Sequence, residues 1–210
     1  MCIAIVKRKG VKMPSEETLK ICFANNPHGC GYTINRDGYN HIFKGFMKLD
    51  EMLESLKEIN PLTSESVMIH FRVASIGSIR KENCHPFVLS NSYSNMKLLN
   101  VKTKLPALVH NGTFRHLNDK KNDYSDTMQF TKLIAPIYEW KSMREFKPLN
   151  KFVDNYVNEN NSRVAIMSKD GKIMMFGKWI KDNKTNLYFS NENYQFITDR
   201  FALKQLEFDF

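Results

Sequence analysis

A cysteine directly after an initiator methionine has a chemistry that an internal cysteine lacks. Cys2 follows Met1, and a small second residue permits removal of that methionine. The thiol would then share its residue with a free α-amine of pKa about 7.7–8, so nucleophile and base come together without a histidine. An ordinary buried strand cysteine is the alternative. The run His70-Phe71-Arg72-Val73-Ala74-Ser75-Ile76-Gly77 offers a second chemistry. The planar fork of Arg72 can take a carboxylate through two parallel hydrogen bonds, with Ser75 as a third donor. A structural carboxylate would satisfy the same arginine.

Leu108-Val109-His110-Asn111-Gly112-Thr113 reads as a strand ending in Asn-Gly. A side-chain amide at Asn111 and an exposed N–H at Gly112 are the parts of an oxyanion hole, and equally of a plain turn. Ser125-Asp126-Thr127 opens a helical pattern. An acid there complements the helix dipole, and it also suits an ammonium group. Taken together, the four clusters complement an α-amino acid with an amide at its far end, which is glutamine or a γ-glutamyl compound.

The elements that must hold these residues follow from periodicity. Residues 2–6 form a short apolar run and read as a buried strand, and 15–23 reads as a helix begun by Pro14 and Ser15. Residues 29–35 and 39–46 flank Asp37-Gly38 as a β-hairpin. Leu49, Met52, Leu53, Leu56 and Ile59 recur at helical spacing, so a helix spans 49–59, with Pro61 just beyond. Strands are expected at 67–74 and 107–110, with a long polar loop over 76–104 between them. A helix after Ser125 should be kinked or shortened by Pro136, and another covers 149–157. Residues 163–168 and 172–180 should pair across Asp170-Gly171, with a last strand at 186–190. Hairpins outnumber βαβ units, which predicts an α+β fold with antiparallel sheets and helices on their outer faces.

Composition narrows the classes. At 210 residues, 42% hydrophobic and 25% charged, the chain fits one globular domain over 1–210 and excludes a disordered or collagen-like protein. No apolar run reaches the roughly 18–20 residues of a membrane span, and no signal peptide opens the sequence, so a soluble, cytoplasmic protein is expected. Lys and Arg number 31 against 22 Asp and Glu, a net charge of +9 that favours anionic partners, nucleic acid included. The basic clusters at 7–12 and 141–151 read as solvated surface. Cys2, Cys22, Cys30 and Cys84 contain no CxxC pair, and the last three read as small buried residues. A mixed site using His28 and His85 is the one metal arrangement the spacing leaves open. No metal and no cofactor is expected.

The sequence resembles the class II glutamine amidotransferases, whose glutaminase domain belongs to the N-terminal-nucleophile hydrolases. The resemblance is carried by Met1-Cys2-Ile3-Ala4, Asn26-Pro27-His28-Gly29-Cys30-Gly31-Tyr32, the His70–Gly77 block, Glu82-Asn83-Cys84-His85-Pro86-Phe87, His110-Asn111-Gly112 and Ser125-Asp126-Thr127, in the family's order. It implies a four-layer αββα sandwich of two antiparallel sheets. By the family's pattern Cys2 is the nucleophile and its amine the base, and Asn111 with Gly112 forms the oxyanion hole. Arg72 and Ser75 bind the substrate carboxylate, and Asp126 its ammonium group. Val73 stands where relatives often have an aromatic residue, and His28 and Cys30 where acidic and small residues are frequent.

Three functions are compatible with these residues. One is a glutaminase that supplies ammonia to a synthase, expected on a partner chain because the domain leaves no room for one. A second is a hydrolase of γ-glutamyl amides. The third is a non-catalytic basic module that binds nucleic acid in a salt-dependent way.

Overall fold

The computed structural model describes residues 2–74, 79–117, 124–140 and 147–197. In chain order its elements are β1 (Ile3–Lys7), α1 (Glu16–Asn25), β2 (Cys30–Arg36), β3 (Tyr39–Phe46), α2 (Leu49–Ile59) and β4 (Ser66–Phe71). Then come β5 (Phe87–Val88), α3 (Tyr93–Lys97), β6 (Asn100–Thr103), β7 (Ala107–Asn111), α4 (Asp126–Trp140) and α5 (Lys147–Glu159). The last are β8 (Arg163–Met167), β9 (Ile173–Phe176), β10 (Ile180–Lys181) and β11 (Tyr188–Phe189). The fold is α+β. A seven-stranded sheet runs β10-β11-β1-β4-β2-β3-β6 and a four-stranded sheet runs β5-β7-β8-β9. The strand pairs of both are antiparallel.

Local signals place the first elements. Ser15 caps α1 by accepting the Thr18 N–H, with Glu16 and Glu17 in the positive first turn. The β2–β3 hairpin turns on Asp37 and Gly38, both at positive φ (52° and 76°), the backbone that a two-residue turn of matching twist demands. Helix α2 buries Met52 and Leu56 and stops at Asn60, whose left-handed backbone lets its N–H bond the Leu56 carbonyl.

Three apolar clusters account for most of the burial. Helices α1 and α2 contribute Leu19, Cys22, Met52 and Leu56 against Ile3, Ile5, Tyr32, Val67 and Ile69 of the large sheet. Helices α4 and α5 contribute Phe130, Ile134, Val153 and Val157 against Leu108, Val164 and Ile166 of the small sheet. Alternate residues of the same strands (Ala4, Val6, Met68, Ala107, Val109, Ala165 and Met167) form a third cluster between the two sheets.

Several expectations are corrected. The strand expected over 67–74 ends at Phe71, leaving Arg72 just past it. The stretch 76–104, expected as a loop, holds β5, α3 and β6, because Phe87, Val88, Leu89 and Met96 are buried. The run expected over 172–180 divides at Gly177 (φ 81°), whose N–H bonds Asp154 Oδ1; β9 stays with β8, and β10 joins the other sheet. Pro136 does not end α4. It lies on the exposed side with Lys132, so the carbonyl it leaves without a partner faces water. Lys7 is not surface: it is 1% exposed, and its ammonium donates to the carbonyls of Leu62, Thr63 and Glu65. Residues 141–146 of the second basic cluster lie outside the described residues. Among the described residues no helix is long and apolar enough to cross a membrane.

Candidate active site

Strand β1 lies between β11 and β4 in the large sheet, and Cys2 immediately precedes it. Its thiol bonds both backbone groups of Val73: the Val73 N–H donates to Sγ, and Sγ–H can donate to the Val73 carbonyl, both at 3.3 Å. The Cys2 carbonyl accepts from Asn191 Nδ2 at 2.8 Å. Burial pushes the thiol up from its ordinary pKa, while the Val73 N–H and the positive charge of Arg72 pull it back. That opposition marks a thiol that is protonated at neutral pH yet sits among groups that favour its anion.

Arg72 reaches the same place through backbone pairing. Its N–H donates to the Gly29 carbonyl at 2.8 Å and its carbonyl accepts the His28 N–H at 2.9 Å, extending the β2–β4 ladder beyond Cys30 and Phe71. The Ala74 N–H then donates to His28 Nδ1 at 2.9 Å, which fixes the neutral His28 ring with its proton on Nε2. Gly29 has φ 109°, and a Cβ there would lie 2.6 Å from Cys84 Sγ, so the close approach that sets this pairing excludes a side chain. Arg72 is 6% exposed. Ser75 lies outside the described residues.

Asn111 closes β7 and is 1% exposed. Its side-chain amide lies 2.9 Å from Ser190 Oγ, the same oxygen that accepts the Ala4 N–H at 2.8 Å. Ser190 therefore joins the strand that follows Cys2 to the candidate oxyanion amide. Gly112 follows with φ 140°, and a Cβ on it would collide with the Ser162 hydroxyl and fall 2.8 Å from Ser162 Cβ. Gly112→Ala should therefore cost about 1–3 kcal/mol of stability through backbone strain, measured by urea denaturation. If the Gly112 N–H supplies an oxyanion donor, displacing it should also lower kcat. Wild-type values of both would remove Gly112 from the site.

Asp126 opens α4 and sits on the other side of this turn. Oδ2 accepts the Phe114 N–H at 2.7 Å and Oδ1 the Thr127 N–H at 2.9 Å. Burial pushes its carboxyl up from the ordinary range, and those two donors pull it back. Its described hydrogen bonds run to the Asn-Gly turn and to its own helix, and none reaches Cys2. The structure thus places Arg72 beside Cys2, ties Asn111 through Ser190 to Ala4 of the strand Cys2 precedes, and joins Asp126 to the segment after Asn111 through the Phe114 N–H.

A buried histidine chain ties these strands. His70 Nε2 lies 3.0 Å from the His110 carbonyl, which can only accept, so Nε2 carries the proton. His85 Nδ1 lies 3.1 Å from the same Nε2 and serves as a second acceptor. The His110 ring contacts Thr127 Oγ1 at 2.7 Å and Ser162 Oγ at 3.2 Å and stacks on Phe114. Burial holds His70 and His110 down to about 3, and His85 well below the ordinary value. All three are neutral structural links. Among the described residues no group of three His, Cys, Asp or Glu side chains could hold a metal ion. Cys22, Cys30 and Cys84 are buried free thiols.

Sequence reading missed Ser190, Asn191 and Ser162, and gave Thr127 no role of its own beside Asp126. Ser162 is an ordinary polar residue at an element end, and Ser190 and Asn191 act on Ala4 and Cys2 across nearly the whole chain, so no local pattern marks them. No protein-family model matches this sequence, and no curated protein matches it.

Proposed function

We propose that this chain is a glutaminase of the class II glutamine amidotransferase type, built as a four-layer αββα sandwich with Cys2 as its N-terminal nucleophile. The observation that carries the reading is the Cys2 thiol on both backbone groups of Val73, beside Arg72, with Asn111 tied through Ser190 to the strand Cys2 begins. The three apolar clusters, helix to sheet, sheet to sheet and sheet to helix, support the sandwich.

With Met1 removed, the Cys2 amine takes the thiol proton and Sγ attacks the side-chain amide carbon of glutamine. A C–S bond forms as the carbonyl electron pair moves onto oxygen, where the Asn111 amide and the Gly112 N–H stabilise it. Collapse breaks the C–N bond, and the amine returns its proton to the departing ammonia. Water then hydrolyses the γ-glutamyl thioester to glutamate and restores the thiol. Arg72 binds the substrate α-carboxylate, with Ser75 as a further donor, and Asp126 binds the α-ammonium. No metal or cofactor enters these steps. In this reading the ammonia passes to a synthase on a partner chain.

The test is glutamate release by Met1-free protein, with glutamine and γ-glutamyl p-nitroanilide compared. Preference for glutamine supports the glutaminase, and preference for the anilide moves the assignment to a γ-glutamyl amide hydrolase. Arg72→Lys keeps the charge but loses the planar fork, so KM should rise about 10- to 100-fold with a smaller change in kcat. No release from either substrate would sink the reading.

A further inference from the structure

Ser190 is fully buried and pairs with Ala4 in both directions: its N–H donates to the Ala4 carbonyl at 3.0 Å and its Oγ accepts the Ala4 N–H at 2.8 Å. A backbone N–H is only a donor, so the Ser190 hydroxyl proton must go elsewhere. Among the described residues its other hydrogen-bond neighbour is the Asn111 amide at 2.9 Å. With Nδ2 turned to the serine, two donors face one oxygen, the hydroxyl proton gains no acceptor, and Asn111 Oδ1 stays buried without a partner among the described residues. Turning the amide by 180° gives the hydroxyl proton an acceptor: Ser190 Oγ–H donates to Oδ1, and Nδ2 takes the place that has no described partner, as a donor that an incoming oxyanion would satisfy.

We propose that Ser190 is a positioning residue, whose hydroxyl holds Asn111 Oδ1 so that the Nδ2 donor is turned toward the Cys2 thiol. One oxygen would thereby set the distance between the nucleophile's strand and the oxyanion donor and choose which end of the amide faces the substrate. The proposal rests on the glutaminase reading for its kinetic consequence but not for its geometry.

Nuclear magnetic resonance of Met1-free protein without substrate tests the geometry. The side-chain amide protons of Asn111, assigned through Asn111→Asp, should show nuclear Overhauser contacts to the Cys2 β-protons. Contacts to the Ser190 β-protons instead would overturn the proposal. In turnover, Ser190→Ala should lower kcat for glutamine about 10- to 100-fold and leave KM within about threefold, a smaller loss than deleting an oxyanion donor outright. Alkylation of Cys2 by iodoacetamide, which develops no oxyanion, should keep its rate. Ser190→Thr, which keeps a hydroxyl, should recover most of the loss, and Ser190→Ala should add nothing to Asn111→Ala. Unchanged kcat, alkylation that falls in step with kcat, or additive losses would each overturn it. If even the wild type releases no glutamate, the glutaminase reading fails, while the resonance contacts still decide which way Asn111 faces.

Discussion

Cys2→Ala protein is expected to release no glutamate from glutamine, a loss of at least about 10⁴-fold, because binding and oxyanion donors alone leave little catalysis once the nucleophile is gone. Protein that retains Met1 should be equally inactive, since the amine is then one residue away from the thiol. Burial raises the Cys2 pKa, so in the proposed mechanism a local base takes the proton as Sγ attacks. The kcat/KM for Met1-free protein should accordingly rise through the amine pKa of about 7.7–8. Mass spectrometry of the N-terminus, run beside the assay, sorts the two forms. Activity of Cys2→Ala, or of the Met1-bearing form, equal to that of processed wild type would end the mechanism.

The second large effect is acid lability. His70 and His110 are held down to about 3, and His85 also lies well below the ordinary 6.5, in each case first by burial. The unfolded chain takes up protons on all three as pH falls below about 6.5, while the folded chain takes none on His70 and His110 until near 3 and holds His85 neutral well below the ordinary range. Their contribution is therefore complete above pH 6.5 and lost as pH falls. The slope approaches about 1.4 kcal/mol per pH unit for each histidine, or about 4 for the three. Asp126, pushed up by burial, shifts the opposite way and offsets part of this once pH falls below its raised pKa. Urea denaturation at pH 7.5, 6 and 5 measures the effect, and His110→Gln should remove about a third of the slope. Stability that is flat over that range would mean that these rings are solvated or charged in the folded state.

What the sequence made legible was local. Helix α2 spans the residues that the Leu49–Ile59 spacing predicts, and the Asp37-Gly38 turn and the Ser15 cap fall where their chemistry requires. The candidates Cys2, Arg72 and Asn111 stood out because each lies at the end of an apolar run. What holds them was not. Lys7 looks like surface until three carbonyls from residues 62–65 surround its ammonium. Lys44 on β3 is buried too: it bonds the Glu82 and Met96 carbonyls and lies over Phe87, and burial brings its pKa down to about 7. The elements inside 76–104 escaped notice because strands of two and four residues and a helix of five are too short for a period to show.

The place of β1 has a consequence for the order in which the molecule is made. Its neighbours β4 and β11 come from later in the chain, and the Ala4–Ser190 bond closes a separation of 186 residues. During synthesis the first strand emerges long before either flank exists, and pairings of such range are the slow ones to form. On the proposed function, removal of Met1 would fall to the nascent chain, before Ser190 and Asn191 arrive to bond Ala4 and Cys2.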